Sequence, residues 1–129
     1  MTVPGRVVVV GLGPAGADLL LPAARVALTQ ADPGRRFVRT SRHPAVTDLA
    51  ADGLTFESCD DVYESAGSAE EVYQRISERL LAAAEAGDVV FAVPGSPTVG
   101  ERTVALLRRA LPDRLTVVPG LSFVDLAWT

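Results

Sequence analysis

Three times in this chain an apolar, β-branched run breaks off at a glycine or proline turn. The segments are VVVVGLGPAG (residues 7–16), VVFAVPGSP (89–97) and LTVVPGLS (115–122). The run at residues 6–10 reads as a strand buried on both faces, the setting of a parallel sheet covered by helices. Strands in such a sheet point one way, so the turns that follow them gather along one edge, where α/β sheets bind ligands. The pattern predicts one composite site made of three turns, with the first and fourth strands adjacent.

The rest of the chain supplies the alternation that a parallel sheet needs. Strands are predicted at residues 6–10, 36–40, 54–57, 88–93 and 115–118, and helices at 19–31, 45–51 and 99–111. Residues 59–68 read as an acidic loop. Ser68 and Glu71 then have the form of a capping box, opening a long helix with Val72, Ile76, Leu80 and Ala83/Ala84 on its apolar face and Gly87 at its end. A further element begins at 122–129.

Composition narrows the function. A chain of 129 residues is one ordinary domain, and 48% hydrophobic content with 5% aromatics predicts a core of Val, Leu and Ala. A net charge of −4 without a long basic run argues against general nucleic-acid binding, leaving a local basic patch at residues 35–42. One Cys and one His argue against a disulfide framework and a structural zinc site. Neither a membrane-spanning run nor a signal-peptide pattern is found, so a cytoplasmic location is expected.

The turns admit several chemistries. Gly11, Gly13 and Gly16 match G-x-G-x-x-G, which suits a dinucleotide pyrophosphate at a helix N-terminus. The acidic residue expected about 20 positions on for the ribose is replaced by Arg39-Thr40-Ser41-Arg42, where an arginine could instead take a 2′-phosphate. A tight turn without any ligand is the plain alternative. In Pro94-Gly95-Ser96-Pro97 the two prolines stiffen the backbone and remove N–H donors, which suits a flat organic ligand better than phosphate. Pro119-Gly120-Leu121-Ser122 repeats the pattern, although Pro-Gly also marks ordinary turns.

GLGP, GDVVFAVPGSP and VVPGLS together resemble the amino-terminal half of the tetrapyrrole methylases, which use S-adenosylmethionine (SAM). RTSRHP (39–44), FESCDDVYES (56–65) and EEVY (70–73) are similar to the methylase-like domain fused to MazG-type nucleoside-triphosphate pyrophosphohydrolases. The resemblance covers essentially the whole chain. It implies a five-stranded, mainly parallel α/β sheet flanked by helices, the amino-terminal half of a two-subdomain module whose second half is absent here. It implies SAM against Gly11, Gly13, Pro14, Pro94, Gly95, Ser96, Pro97, Gly120 and Ser122, with His43 and Arg42 lining the substrate side.

Where the methylases typically read GPGDPELLT, this chain has GPAGADLLL, with Gly16 in place of Asp, and Ser96 stands where related loops carry Asp. The expected function is that of a SAM-dependent methyltransferase-like domain, inactive as an isolated half. The alternative is a non-catalytic binding or dimerisation domain attached to a MazG-type hydrolase. No catalytic residue is assigned by the resemblance, and no metal is expected, since Asp60, Asp61 and Glu64 read as a solvated acidic loop. Leu121, Phe123, Leu126 and Trp128 are expected to lack cover, which favours homo-oligomers. Cys59 reads as a buried or incidental thiol, and Asp125 as solvent-facing or cleft-lining.

Overall fold

The computed structural model describes residues 4–98 and 101–127. Five strands, β1 (Val7–Gly11), β2 (Arg36–Val38), β3 (Glu57–Ser58), β4 (Val89–Val93) and β5 (Leu115–Val118), form one sheet in the order β3-β2-β4-β1-β5. Every strand pairing is parallel, and β1 lies between β4 and β5. The expected α/β architecture and the adjacency of first and fourth strands are both present.

Alternation along the central strands divides the core in two, because successive side chains leave a strand on opposite faces. On one face Val7, Val9, Val89, Phe91 and Val93 pack with Val72, Ile76, Leu80 and Ala84 of α4 (Ala69–Ala84) and Val104 and Leu107 of α5 (Arg102–Ala110). On the other, Val10, Val90 and Ala92 meet Ala24 and Leu28 of α1 (Pro22–Gln30) and Ala45, Val46 and Leu49 of α2 (Pro44–Ala51). The result is three layers, helix, sheet, helix.

Several expected elements differ in extent. The helix expected at 19–31 is split into a 3₁₀ turn (Ala17–Leu19) and α1, with Leu21 extended between them. Pro22 explains the break, since a residue before proline is pushed out of helical backbone and proline itself suits the first helical position. The expected acidic loop contains a short helix, α3 (Asp60–Ser65), with two acids in its first turn, where they complement the helix dipole. Val62 seats it in the core and Arg79 grips Asp61 through two hydrogen bonds of 3.0 and 2.7 Å.

The third strand is shorter and later than expected, because Leu54 N–H caps α2 on Leu49 O (3.0 Å) and Leu54 and Phe56 pack beneath that helix. At α4, Ser68 Oγ accepts from Glu71 N–H (3.1 Å), while the Glu71 carboxylate accepts from Gly67 N–H, one residue before the cap itself. The helix ends at Ala84, ahead of Gly87. Part of the expected 99–111 helix and the end of the 122–129 element lie outside the described residues; α5 runs Arg102–Ala110 and α6 Phe123–Ala127.

The anticipated basic patch is largely consumed by the fold. Arg36 is buried and donates to Leu28 O (2.7 Å) and Ala31 O (2.9 Å), covering carbonyls that α1 leaves open. Arg35 donates to Asp88 O (2.8 Å) and Gly87 O (2.9 Å). Among the described residues Phe91 is the largest fully buried side chain, and it sits mid-sheet. Phe91→Ala is expected to lower stability by about 3–5 kcal/mol, and Phe91→Leu by about 1 kcal/mol, in urea denaturation monitored by circular dichroism.

Candidate functional site

Parallel register places the three turns side by side: Gly11 pairs with Val93 and Val10 with Val118, so all three chains leave the sheet at one edge. After β1 the chain turns toward the layer of α1 and α2, and after β4 toward the layer of α5. Adjacent strands whose connections diverge in this way open a crevice, the usual ligand position in such sheets. A cleft of about 280 Å³ lies there, lined by Gly13, Pro14, His43, Pro94, Gly95, Ser96, Ser122 and Phe123.

Of the residues read from sequence, the structure brings Gly13, Pro14, Pro94, Gly95, Ser96, Ser122 and His43 together on this cleft. Gly11 and Gly120 lie in close backbone contact with each other. A Cβ on Gly11 would stand 2.6 Å from Gly120 N and 2.7 Å from Gly95 O, and one on Gly120 would stand 2.5 Å from Gly95 O. These two glycines let three turns touch main chain to main chain. Pro97 is buried beside the cleft. Arg42 is exposed on a separate recess of about 360 Å³ with Arg39, Thr40, Asp60 and Tyr63.

Hydrogen bonds fix the crevice. Gly13 N–H donates to Gly95 O (3.1 Å) and Gly95 N–H to Gly13 O (2.9 Å), an isolated antiparallel bridge across two parallel strands' exits. Both glycines have positive φ, 77° and 67°, a backbone that side-chain-bearing residues rarely adopt. The Gly13 amide, which a dinucleotide pyrophosphate would need, is thus engaged. Only a three-residue 3₁₀ turn follows the glycines, and its first amide, Ala17 N–H, is also taken. Arg39, the candidate for a 2′-phosphate, is ion-paired at 2.5 Å with Glu101, whose side chain is only 3% exposed. The G-x-G-x-x-G match is therefore a packing turn rather than a phosphate cradle.

His43 ties the cleft to α2. It is the helix N-cap, its Nδ1 accepting from Ala45 N–H (3.1 Å), so the proton resides on Nε2, which donates to Gly13 O (3.0 Å). With both nitrogens engaged, the imidazole is a brace rather than a proton shuttle. Burial holds its pKa below the ordinary 6.5; the bond to Gly13 opposes this and the charge of Arg39 adds to it.

The remaining polar candidates serve the frame. Ser96 Oγ lies 3.0 Å from Thr98 Oγ1, within its own turn. Asp125 accepts from Ser122 N–H (2.7 Å) and Oγ–H (3.3 Å), capping the turn into α6. Asp60 Oδ2 accepts from Ser58 Oγ–H (2.7 Å), Ser41 Oγ–H (2.7 Å) and Ser41 N–H (3.0 Å), bonds that hold its carboxyl well below the usual range. Among the described residues no group of three His, Cys, Asp or Glu is placed to hold a metal. Cys59 is fully buried, and burial pushes its thiol up to about 11. Phe123 is 70% exposed at the cleft rim, and Val124 is exposed beside it. The Leu126 side chain and Trp128 lie outside the described residues.

Glu101 was not singled out by sequence. It is an acid at a helix start, and the signal that matters, Arg39, lies 62 residues away. Burial raises its pKa, against the pull of the Arg39 charge. The pair joins the connection after β2 to the one after β4, the two that carry His43 and Ser96.

Comparison with known proteins agrees with this geometry. The sequence profile of the tetrapyrrole (corrin/porphyrin) methylases matches residues 6–129. An uncharacterized protein YabN of Bacillus subtilis is 39% identical over 124 residues, which are 94% of this chain and 25% of that protein. The crystal structure of uroporphyrin-III-C-methyltransferase from Thermus thermophilus superposes with a TM-score of 0.67 at 26% identity, covering 93% of this chain and 49% of that one. A structure of uroporphyrin-III C-methyl transferase from the same organism, complexed with S-adenyl homocysteine, gives 0.63 at 24% identity, covering 96% and 52%. The chain thus spans about half the length of these solved structures and a quarter of the YabN protein.

Two expectations follow. Gly11→Ala forces a methyl into backbone atoms of two other turns and should destabilise by about 1–3 kcal/mol in chemical denaturation. Because the His43 pKa is lowered on folding, the unfolded chain binds its proton first as pH falls. Stability present above about 6.5 should therefore decline below it until the folded imidazole itself protonates. The difference in urea midpoint between wild type and His43→Gln, followed from pH 7.5 to 5.5, should narrow as pH drops; a constant difference would show that His43 does not titrate with folding.

Proposed function

Since the chain belongs to the tetrapyrrole (corrin/porphyrin) methylase family, we propose that its edge cleft is one wall of a SAM site and that the domain serves methyl transfer when the second wall is supplied. The observation that carries this is the chemistry of the lining. With His43 neutral, none of the eight cleft residues carries a charge, and the Gly13 and Gly95 N–H groups are each taken by the other's carbonyl. Such a surface reads its ligand by shape and by carbonyl and hydroxyl contacts. It has no cradle for phosphate. It suits a cofactor whose charges are a sulfonium and an amino-acid zwitterion, and S-adenosylhomocysteine in one of the similar solved methyltransferases supports the same reading.

When bound, SAM supplies an electrophilic methyl on sulfur. The residues of this chain then have a positioning task, which is how proximity lowers such a barrier. The Gly13–Gly95 bridge fixes the crevice width, Pro14 and Pro94 stiffen its lips, and Ser96, whose hydroxyl meets Thr98 within its own turn, offers a polar contact. Phe123 provides an apolar rim on which a second wall can close. Small-ligand sites usually measure about 300–1,000 Å³ and bury most of the ligand, whereas this cleft is about 280 Å³ and open. We infer that the chain alone binds SAM weakly and transfers no methyl group, and that a following subdomain completes the site.

A second reading is favoured by Gly16 and Ser96, which put no carboxylate of their own at the turns: a regulatory or dimerisation domain attached to a MazG-type pyrophosphohydrolase. Here Phe123 would meet a second copy. Light scattering that gives a dimer, together with silence toward SAM, would select this reading.

Isothermal titration with S-adenosylhomocysteine distinguishes the two. Weak binding by the chain, tightened at least tenfold in a protein extended through a following subdomain, is expected. Ser96→Trp, which fills the cleft without demanding positive φ, should abolish that binding while the melting profile persists. No heat from either form would overturn the SAM reading, and tight binding by the chain alone would overturn the shared-wall account.

A further inference from the structure

Helix α2 reaches the first turn at two points. His43, at its N-cap, holds Gly13 O, and Asp48, further along, accepts from Ala17 N–H through Oδ2 at 2.9 Å. Between them lies Gly16, which occupies the N-cap position of the 3₁₀ turn and has no side chain with which to cap it. A Cβ on Gly16 would stand 2.9 Å from Asp48 Oδ2 and 3.1 Å from Asp18 Oδ1. The carboxylate absent at position 16 in the sequence is thus present in space, contributed by another element.

We propose that Asp48 is the positioning residue of the first turn: it caps, from α2, the turn that Gly16 leaves uncapped, and a side chain at position 16 would have to displace its carboxylate. The inference rests on the reading that Gly13 and Pro14 line the cofactor cleft. The physical case is a charge-assisted bond to a backbone amide, roughly twice as strong as a neutral one, at a turn end whose own cap is missing. With His43 donating at Gly13 and Asp48 accepting at Ala17, the intervening segment is held at both ends. The cleft lip at Pro14 then cannot move without α2. A carboxylate at position 16 would be a duplicate, crowded against Asp48 and repelled by it.

Amide hydrogen exchange by NMR on the full chain tests this without any ligand. Asp48→Ala should raise the exchange rate of Ala17 N–H at least tenfold, and Asp48→Asn, whose amide oxygen can still accept, should restore most of the protection. Gly16→Asp should lower the melting temperature of the wild type but raise that of Asp48→Ala, since the new carboxylate then caps the turn alone. Unchanged exchange at Ala17 in Asp48→Ala, or the same effect of Gly16→Asp in both backgrounds, would overturn the proposal. S-adenosylhomocysteine titration separates it from the reading beneath it. A wild type that binds should lose about tenfold in affinity on Asp48→Ala and little on Asp48→Asn, and equal affinity in all three would count against the positioning role. A wild type that fails to bind removes the cofactor reading, while the exchange and melting results still decide the role of Asp48.

Discussion

Everything at the functional edge depends on three turns meeting main chain to main chain. Gly11, Gly95 and Gly120 approach so closely that a single methyl on Gly11 or Gly120 would fall within 2.5–2.7 Å of a neighbouring backbone. The contact is possible only because β1, β4 and β5 are neighbours in parallel register and end together. Local sequence and global topology therefore require each other. Glycines without that register would be loose turns, and that register without glycines would splay.

This contact separates two readings of the same motif. In a dinucleotide turn the glycines free amides for phosphate and start a long helix. Here the Gly13 and Gly95 N–H groups each donate to the other's carbonyl, the helix is a 3₁₀ turn, and the arginine that follows β2 is paired with a buried glutamate. Identical residues thus support different chemistry according to what the neighbouring turn presents. The motif alone does not carry that information.

What the sequence made legible was what is repeated within a short window. The runs at β1 and β4 are apolar on both faces, the run at β5 ends in the same Pro-Gly turn, and α4 repeats its buried residues at helical spacing, so their type and place could be read directly. The split before α1 was also written locally, in Pro22, although the apolar content around it masks the break. The short helix α3 was hidden because its acidic turn resembles a loop until Arg79 is brought beside it. Least legible were the polar partnerships that shape the site. Arg39 meets Glu101 across 62 positions and Ala17 meets Asp48 across 31, and no local pattern announces either. His43 was expected on the substrate side of the site, but that both its nitrogens are engaged is a property of the folded turn.

A floor made of main chain has no side chains to exchange. Random substitution at Gly11 or Gly120 meets the packing limit before it can alter the cleft, whereas Ser96 and Phe123 stand at its rim, where volume and polarity can change without entering the sheet. Ligand preference and foldability are therefore encoded at different positions. Changes at the rim alter the shape and polarity of the cleft, whereas changes in the floor decide whether the edge forms at all.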